Sequence, residues 1–116
     1  VGKIIMQFLF TTQIKKGLGI EIVDSRWRKS VDVLDQMKNK NEYSNIIKDK
    51  KIDFIKEDAL KVDLSNITVL YVCNTCFSDE FMRKILKKIN KEKIKYIIIL
   101  REMDEILNIL PNKKNY

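Results

Sequence analysis

Three polar residues stand at or just behind apolar, β-forming runs. Glu21 closes the core of Leu18-Gly-Ile-Glu-Ile-Val23, Asp58 follows Ile52-Asp-Phe-Ile55, and Asn74 follows Ile67-Thr-Val-Leu-Tyr-Val-Cys73. Open parallel sheets bind ligands beyond the carboxyl ends of their strands, so these positions can reach one crevice. One carboxylate there accepts from both hydroxyls of a ribose, and a second accepts from the amino group of adenine. Ile22 and Ala59 beside them would give apolar contact to the ring. Gly2 lies 19 residues before Glu21, close to the spacing of about 20 between a phosphate-loop glycine and a ribose-binding acid in nucleotide-binding βαβ units. A nucleoside site is the chemistry this pattern implies. Taken singly, each residue also has an ordinary explanation: Glu21 as an exposed edge residue, Asp58 as a turn former, Asn74 as a helix-leading cap.

Other constellations compete. Gly2-Lys3 before a helix resembles the end of a Walker-type loop, but Ile4 stands where that loop needs a hydroxyl for magnesium. An NAD-dependent Rossmann oxidoreductase would share the glycine turn and Glu21, although Asn74 to Phe77 has no obvious part in hydride transfer. Cys73-Asn-Thr-Cys76 is a C-x-x-C between a strand and a helix, the setting of a thioredoxin-like redox pair. That fold also needs a cis-proline loop against the motif, and the one proline is Pro111. A zinc site wants four ligands, and the chain offers no second cysteine pair and no histidine. Metal is not expected, and without histidine neither is a triad hydrolase.

The elements that must position these groups follow from periodicity. Ile4, Ile5, Phe8 and Leu9 recur at helical spacing, and the strand Leu18–Val23 follows. Asp24 and Ser25 lead a helix with Trp27, Val31, Leu34 and Met37 on one face, which Asn39 to Tyr43 ends. The strands at 52–55 and 67–73 come next. Ser78 and Asp79 then cap a helix whose buried stripe is Phe81, Met82, Ile85, Leu86 and Ile89. The run 94–100 reads as a central strand covered on both faces, and 103–110 as a last short helix. Strands separated by helical crossovers predict an α/β, mostly parallel sheet in a single domain spanning 1–116.

Composition adds bounds. The 116 residues carry 23 Lys and Arg against 16 Asp and Glu, a net +7 that would draw an acidic partner. The lysines are spread over many segments, so a solvated surface accounts for most of them. Lys84, Lys87, Lys88 and Lys91 are the candidates for a DNA-facing stripe. No apolar run approaches the ~20 residues that cross a bilayer, and the first residues lack a signal-peptide layout. A soluble intracellular protein with reduced thiols is the expectation, with no membrane partner and an oligomeric state that the sequence leaves open.

The order Gly2-Lys3, Gly19-Ile-Glu-Ile22, Ile52-Asp-Phe-Ile-Lys-Glu-Asp58 and Val72-Cys-Asn-Thr-Cys-Phe77 resembles the non-SET histone lysine methyltransferases of the Dot (disruptor of telomeric silencing) family, over most of the chain. The resemblance implies a Rossmann-like class I methyltransferase fold, incomplete at both ends, with Val1-Gly2-Lys3 the last part of a glycine-rich loop. It implies S-adenosylmethionine (SAM) as cofactor, bound by Gly2, Glu21, Ile22, Asp58, Ala59 and Asn74. Asn74 would also sit between cofactor and the substrate lysine, and Phe77 would line the lysine channel, so these two are the catalytic candidates. Thr75 and Cys76 depart from the family, which has an apolar residue and then a small one there. A histone or nucleosome substrate and a nuclear location come from the same resemblance. The competing readings are a degenerate methyltransferase-like nucleotide-binding module and the NAD-dependent oxidoreductase.

Overall fold

The computed structural model describes residues 2–107, an α/β chain that divides into two compact units, 1–61 and 62–116. In the first unit α1 (Lys3–Thr11) leads to β1 (Lys16–Glu21), α2 (Asp24–Lys38), α3 (Asn41–Ile47) and β2 (Lys51–Lys56). The helical crossover makes β1 and β2 parallel, with Gly19 opposite Phe54 and Glu21 opposite Lys56. Met6, Leu9, Leu34, Ile47 and Ile52 form the buried core. The predicted stripe of α2 faces inward: Leu34 is buried, and Trp27, Val31 and Met37 are half-buried. Trp27 Nε1 donates to the Phe54 carbonyl at 2.9 Å, which fixes α2 to β2.

Helix α1 rests on the glycines of β1. Gly17 and Gly19 are two apart and so point to one face. A Cβ at Gly17 would stand 2.6 Å from Ile5 Cγ2, and one at Gly19 would stand 2.4 Å from the Phe54 ring. The bare backbone is what lets helix and strand approach. Gly19→Ala should therefore cost about 1–3 kcal/mol through overpacking, read as a lower urea midpoint at unchanged slope. A variant as stable as the parent would refute this contact. The far end of α1 is closed by Lys50, whose ammonium donates to the carbonyls of Leu9 and Thr12, a cation at the negative end of the helix dipole.

The second unit runs β3 (Val69–Val72), a 3-10 turn (Asn74–Cys76), α4 (Asp79–Lys88), β4 (Tyr96–Ile99) and α5 (Asp104–Leu107). Strands β3 and β4 are parallel, Val69 facing Tyr96 and Val72 facing Ile99. As predicted, Ser78 caps α4, its hydroxyl accepting from the Phe81 amide at 3.1 Å. Asp79 and Glu80 in the first turn and Lys87 and Lys88 in the last complement the dipole. Met82, Ile85 and Leu86 are buried.

Several expectations change. In place of one sheet, the described residues form two separate two-stranded parallel sheets. Strand β1 starts at Lys16 and stops at Glu21, leaving Ile22 and Val23 exposed. Asp24 does not cap α2: the N-cap is Val23, with no side-chain bond, and Asp24 lies in the first turn. The segment 39–43 does not simply end a helix, because α3 starts at Asn41. Strand β3 omits Ile67 and Thr68. The run 94–100 is not covered on both faces, since Tyr96 is 63% and Leu100 55% exposed. The predicted last helix starts at Asp104, with Met103 outside it, and is seen to Leu107; its remainder, 108–110, lies outside the described residues.

Candidate functional site

Four of the predicted cofactor residues share the carboxyl rim of the β1–β2 pair. The ladder extends one step beyond the strands, the Glu57 amide donating to the Glu21 carbonyl at 3.1 Å. That step joins the ends of the two strands, with Glu21 and Ile22 leaving β1 and Asp58 and Ala59 following β2. Glu21 is half-buried, and its Oε1 accepts from the Val23 amide at 3.0 Å. Asp58 is also half-buried; its Oδ1 accepts from the Leu60 amide at 2.9 Å and opens the 3-10 turn Ala59–Lys61. Each carboxylate thus spends one oxygen on its own backbone, which fixes its direction. The other oxygen of each makes no hydrogen bond among the described residues. Ile22 is 64% exposed, so apolar surface lies next to these acceptors.

Gly2 occupies the left-handed region, with φ 80°, at the point where the chain enters α1. An L-residue there is strained. Its Cβ would also stand 2.6 Å from the ring of Phe54, two residues short of the end of β2. Backbone and space both select glycine at this position. A groove of about 1030 Å³ adjoins Gly2 and runs along α1 and α2, with Met6, Phe10 and Phe54 among its apolar lining and Lys3, Arg26 and Lys29 as its cations. None of Glu21, Ile22, Asp58 or Ala59 lines it, so the groove and the rim are distinct features of this unit.

Beside the rim, Asp24 accepts from Lys56 Nζ at 2.6 Å and pairs with Arg28 at 2.6 Å. The hydrogen bond from Lys56, ahead of the charge of Arg28, holds its carboxyl below the usual range. A depressed carboxyl adds stability above its unfolded value, and that contribution fades as pH falls through the folded one. The pair is exposed, so the contribution is screened and small.

In the second unit Asn74 is fully buried. Its Oδ1 accepts from the amides of Leu100 at 3.0 Å and Arg101 at 2.8 Å, and its Nδ2 donates to the Arg101 carbonyl at 2.9 Å. Both lone pairs of the amide oxygen are used, and the side chain clasps the exit of β4 to the exit of β3. Asn74 is neither a helix cap nor, in this arrangement, an acceptor open to an amine. Arg101 completes the clasp: Nε donates to the Asn74 carbonyl at 3.3 Å, Nη2 to the Phe77 carbonyl at 2.8 Å, and Nη1 pairs with Asp79 at 2.7 Å. Phe77 is 41% exposed, and its ring lies 4.9 Å from that of Phe81. The sequence reading passed over Arg101, although it directly follows the apolar run 94–100 and so meets the same strand-end criterion as Asn74.

No family model, curated protein or solved structure matches the chain. Among the described residues, no three or more His, Cys, Asp or Glu side chains gather where they could hold a metal ion. No described helix is long and apolar enough to cross a membrane.

Proposed function

We propose that the chain is a Rossmann-like, SAM-dependent methyltransferase domain acting on a protein lysine, with a histone or nucleosome as substrate class. The observation that carries this reading is the pair of half-buried carboxylates, Glu21 and Asp58, on one rim of a parallel strand pair, each with one oxygen anchored and one open. The residues present fit the nucleoside end of SAM. Glu21 would accept from the ribose hydroxyls, Asp58 from the adenine amino group, and exposed Ile22 with Ala59 would meet the ring face. Gly2, held at positive φ, suits a loop that brings backbone close to a ligand. When bound, SAM supplies an electrophilic methyl group on a sulfonium. The chain would contribute the hold on the nucleoside, which orients that methyl group toward an acceptor amine. Exposed Lys84, Lys87 and Lys91 on and beyond α4 are where DNA contact would fall, although Lys84 already pairs with Glu80 at 3.3 Å.

One observation favours a second reading. Because the oxygen of Asn74 is fully engaged by Leu100 and Arg101, a nucleotide-binding module without turnover accounts for the same rim. Calorimetric titration of the full chain with SAM, run beside methyl transfer to histones and nucleosomes, separates the two: binding with transfer supports the enzyme, and binding alone supports the module. Glu21→Ala and Asp58→Ala should each weaken SAM binding about 10- to 100-fold, the value of a hydrogen bond to a charged group. Absence of SAM binding by the parent protein would sink both readings.

A further inference from the structure

The C-x-x-C pair plays no part in the cofactor reading, and its surroundings give it a chemistry of its own. We propose that Cys73 and Cys76 form a reversible dithiol–disulfide site that exchanges with low-molecular-weight disulfides of the glutathione type. Both cysteines are free and exposed. Their sulfurs are gathered round one group: Thr75 Oγ1 lies 4.0 Å from Cys73 Sγ and 3.9 Å from Cys76 Sγ. They bracket the turn Asn74–Cys76, with Cys73 its N-cap and Cys76 its last residue. Cys73 and Cys76 are the first and fourth residues of this turn, positions whose Cα atoms are spaced by three rises of about 2.0 Å each. The separation of about 6 Å falls inside the ~4.4–6.8 Å that a disulfide spans between Cα atoms. Exposed side chains can rotate between staggered wells to bring the sulfurs together.

The backbone between them is held independently of the thiols. Asn74 is buried and triply bonded to Leu100 and Arg101, and Arg101 also grips the carbonyls of Asn74 and Phe77. The turn is therefore set in place before any S–S bond forms, which favours closure within the chain over reaction with a second chain. In the first step one cysteine thiolate attacks a sulfur of the small disulfide, forming a mixed disulfide and releasing one small thiolate. The other cysteine thiolate then attacks the protein sulfur of that mixed disulfide and releases the second small thiolate. Two electrons pass from the protein thiols to the small disulfide, and the two cysteine protons end on the two thiols released.

The test equilibrates the full-length protein, folded, across glutathione/glutathione-disulfide ratios, followed by acid quench, alkylation and mass spectrometry. Both cysteines fall in the single tryptic peptide 62–83. The expected result is a peptide lighter by two hydrogens that takes up no alkyl groups, converted back on added dithiol to one that takes up two. Cys73→Ser and Cys76→Ser, both at exposed positions, should lose this species and hold glutathione as a stable mixed disulfide. Four results would overturn the proposal: mixed glutathione adducts only in the parent, disulfide-linked dimers only, dialkylated peptide at every ratio, or an equal yield of the lighter peptide from urea-unfolded chain, which would remove the role of the preset turn. None of these outcomes depends on SAM.

Discussion

Asn74→Ala is expected to unfold the second unit under conditions where the parent is folded, with a loss of about 3 kcal/mol or more. The substitution strips partners from two amide N–H groups, of Leu100 and Arg101, and from the Arg101 carbonyl. A buried polar group left unsatisfied costs about 1–3 kcal/mol, and three lie at one site. Against a total that is typically about 5–15 kcal/mol for a domain, such a loss dominates. Urea unfolding followed by circular dichroism measures it. If Asn74 served only a substrate, stability would be unchanged and activity alone would fall, and that result would remove the clasp as the residue's main role.

Leu9→Ala should have the largest effect in the first unit. Leu9 is 1% exposed at the centre of the cluster with Met6, Leu34, Ile47 and Ile52, and its side chain packs against Gly17. Truncating a buried leucine costs about 2–5 kcal/mol, the upper end applying where neighbours cannot collapse into the space. Here the facing surface is strand backbone, which has little freedom to move inward. Val33→Ala, at a position 45% exposed, is the matched control and should change stability by no more than about 0.5 kcal/mol. Comparable losses from both variants would show that the core does not lie under α1.

Much of this architecture was legible in the residues because burial imposes a period. The stripe Trp27-Val31-Leu34-Met37 and the stripe Met82-Ile85-Leu86 both place helices correctly, and the Ser78 cap marks the start of α4. The rim was legible for the same reason, since Glu21 and Asp58 are polar residues at the ends of apolar runs. Strand limits were less so. Ile22 and Val23 have high β-propensity yet leave the ladder, because pairing stops once Glu57 has bonded to Glu21 and the Glu21 carboxylate turns to the Val23 amide. Helix α3 was hidden by the charged and amide residues around Asn41, although Tyr43 and Ile47 are spaced four apart and Ile47 is buried. The role of Asn74 could not be read locally, since its partners lie 26 and 27 residues away. Its place behind an apolar run pointed to a cofactor and substrate residue, and tertiary pairing makes it a clasp.

The single tryptophan of the chain, Trp27, belongs to one unit, and both cysteines belong to the other. Because the indole N–H is bonded to the Phe54 carbonyl and the ring is half-buried, its emission should shift when α2 leaves β2. Both thiols are exposed in the folded protein, so the second unit is read instead by hydrogen exchange at the Leu100 and Arg101 amides, which are bonded to buried Asn74. Each compact unit thus carries its own native reporter, and following both across denaturant tells whether they melt as one cooperative body or in sequence.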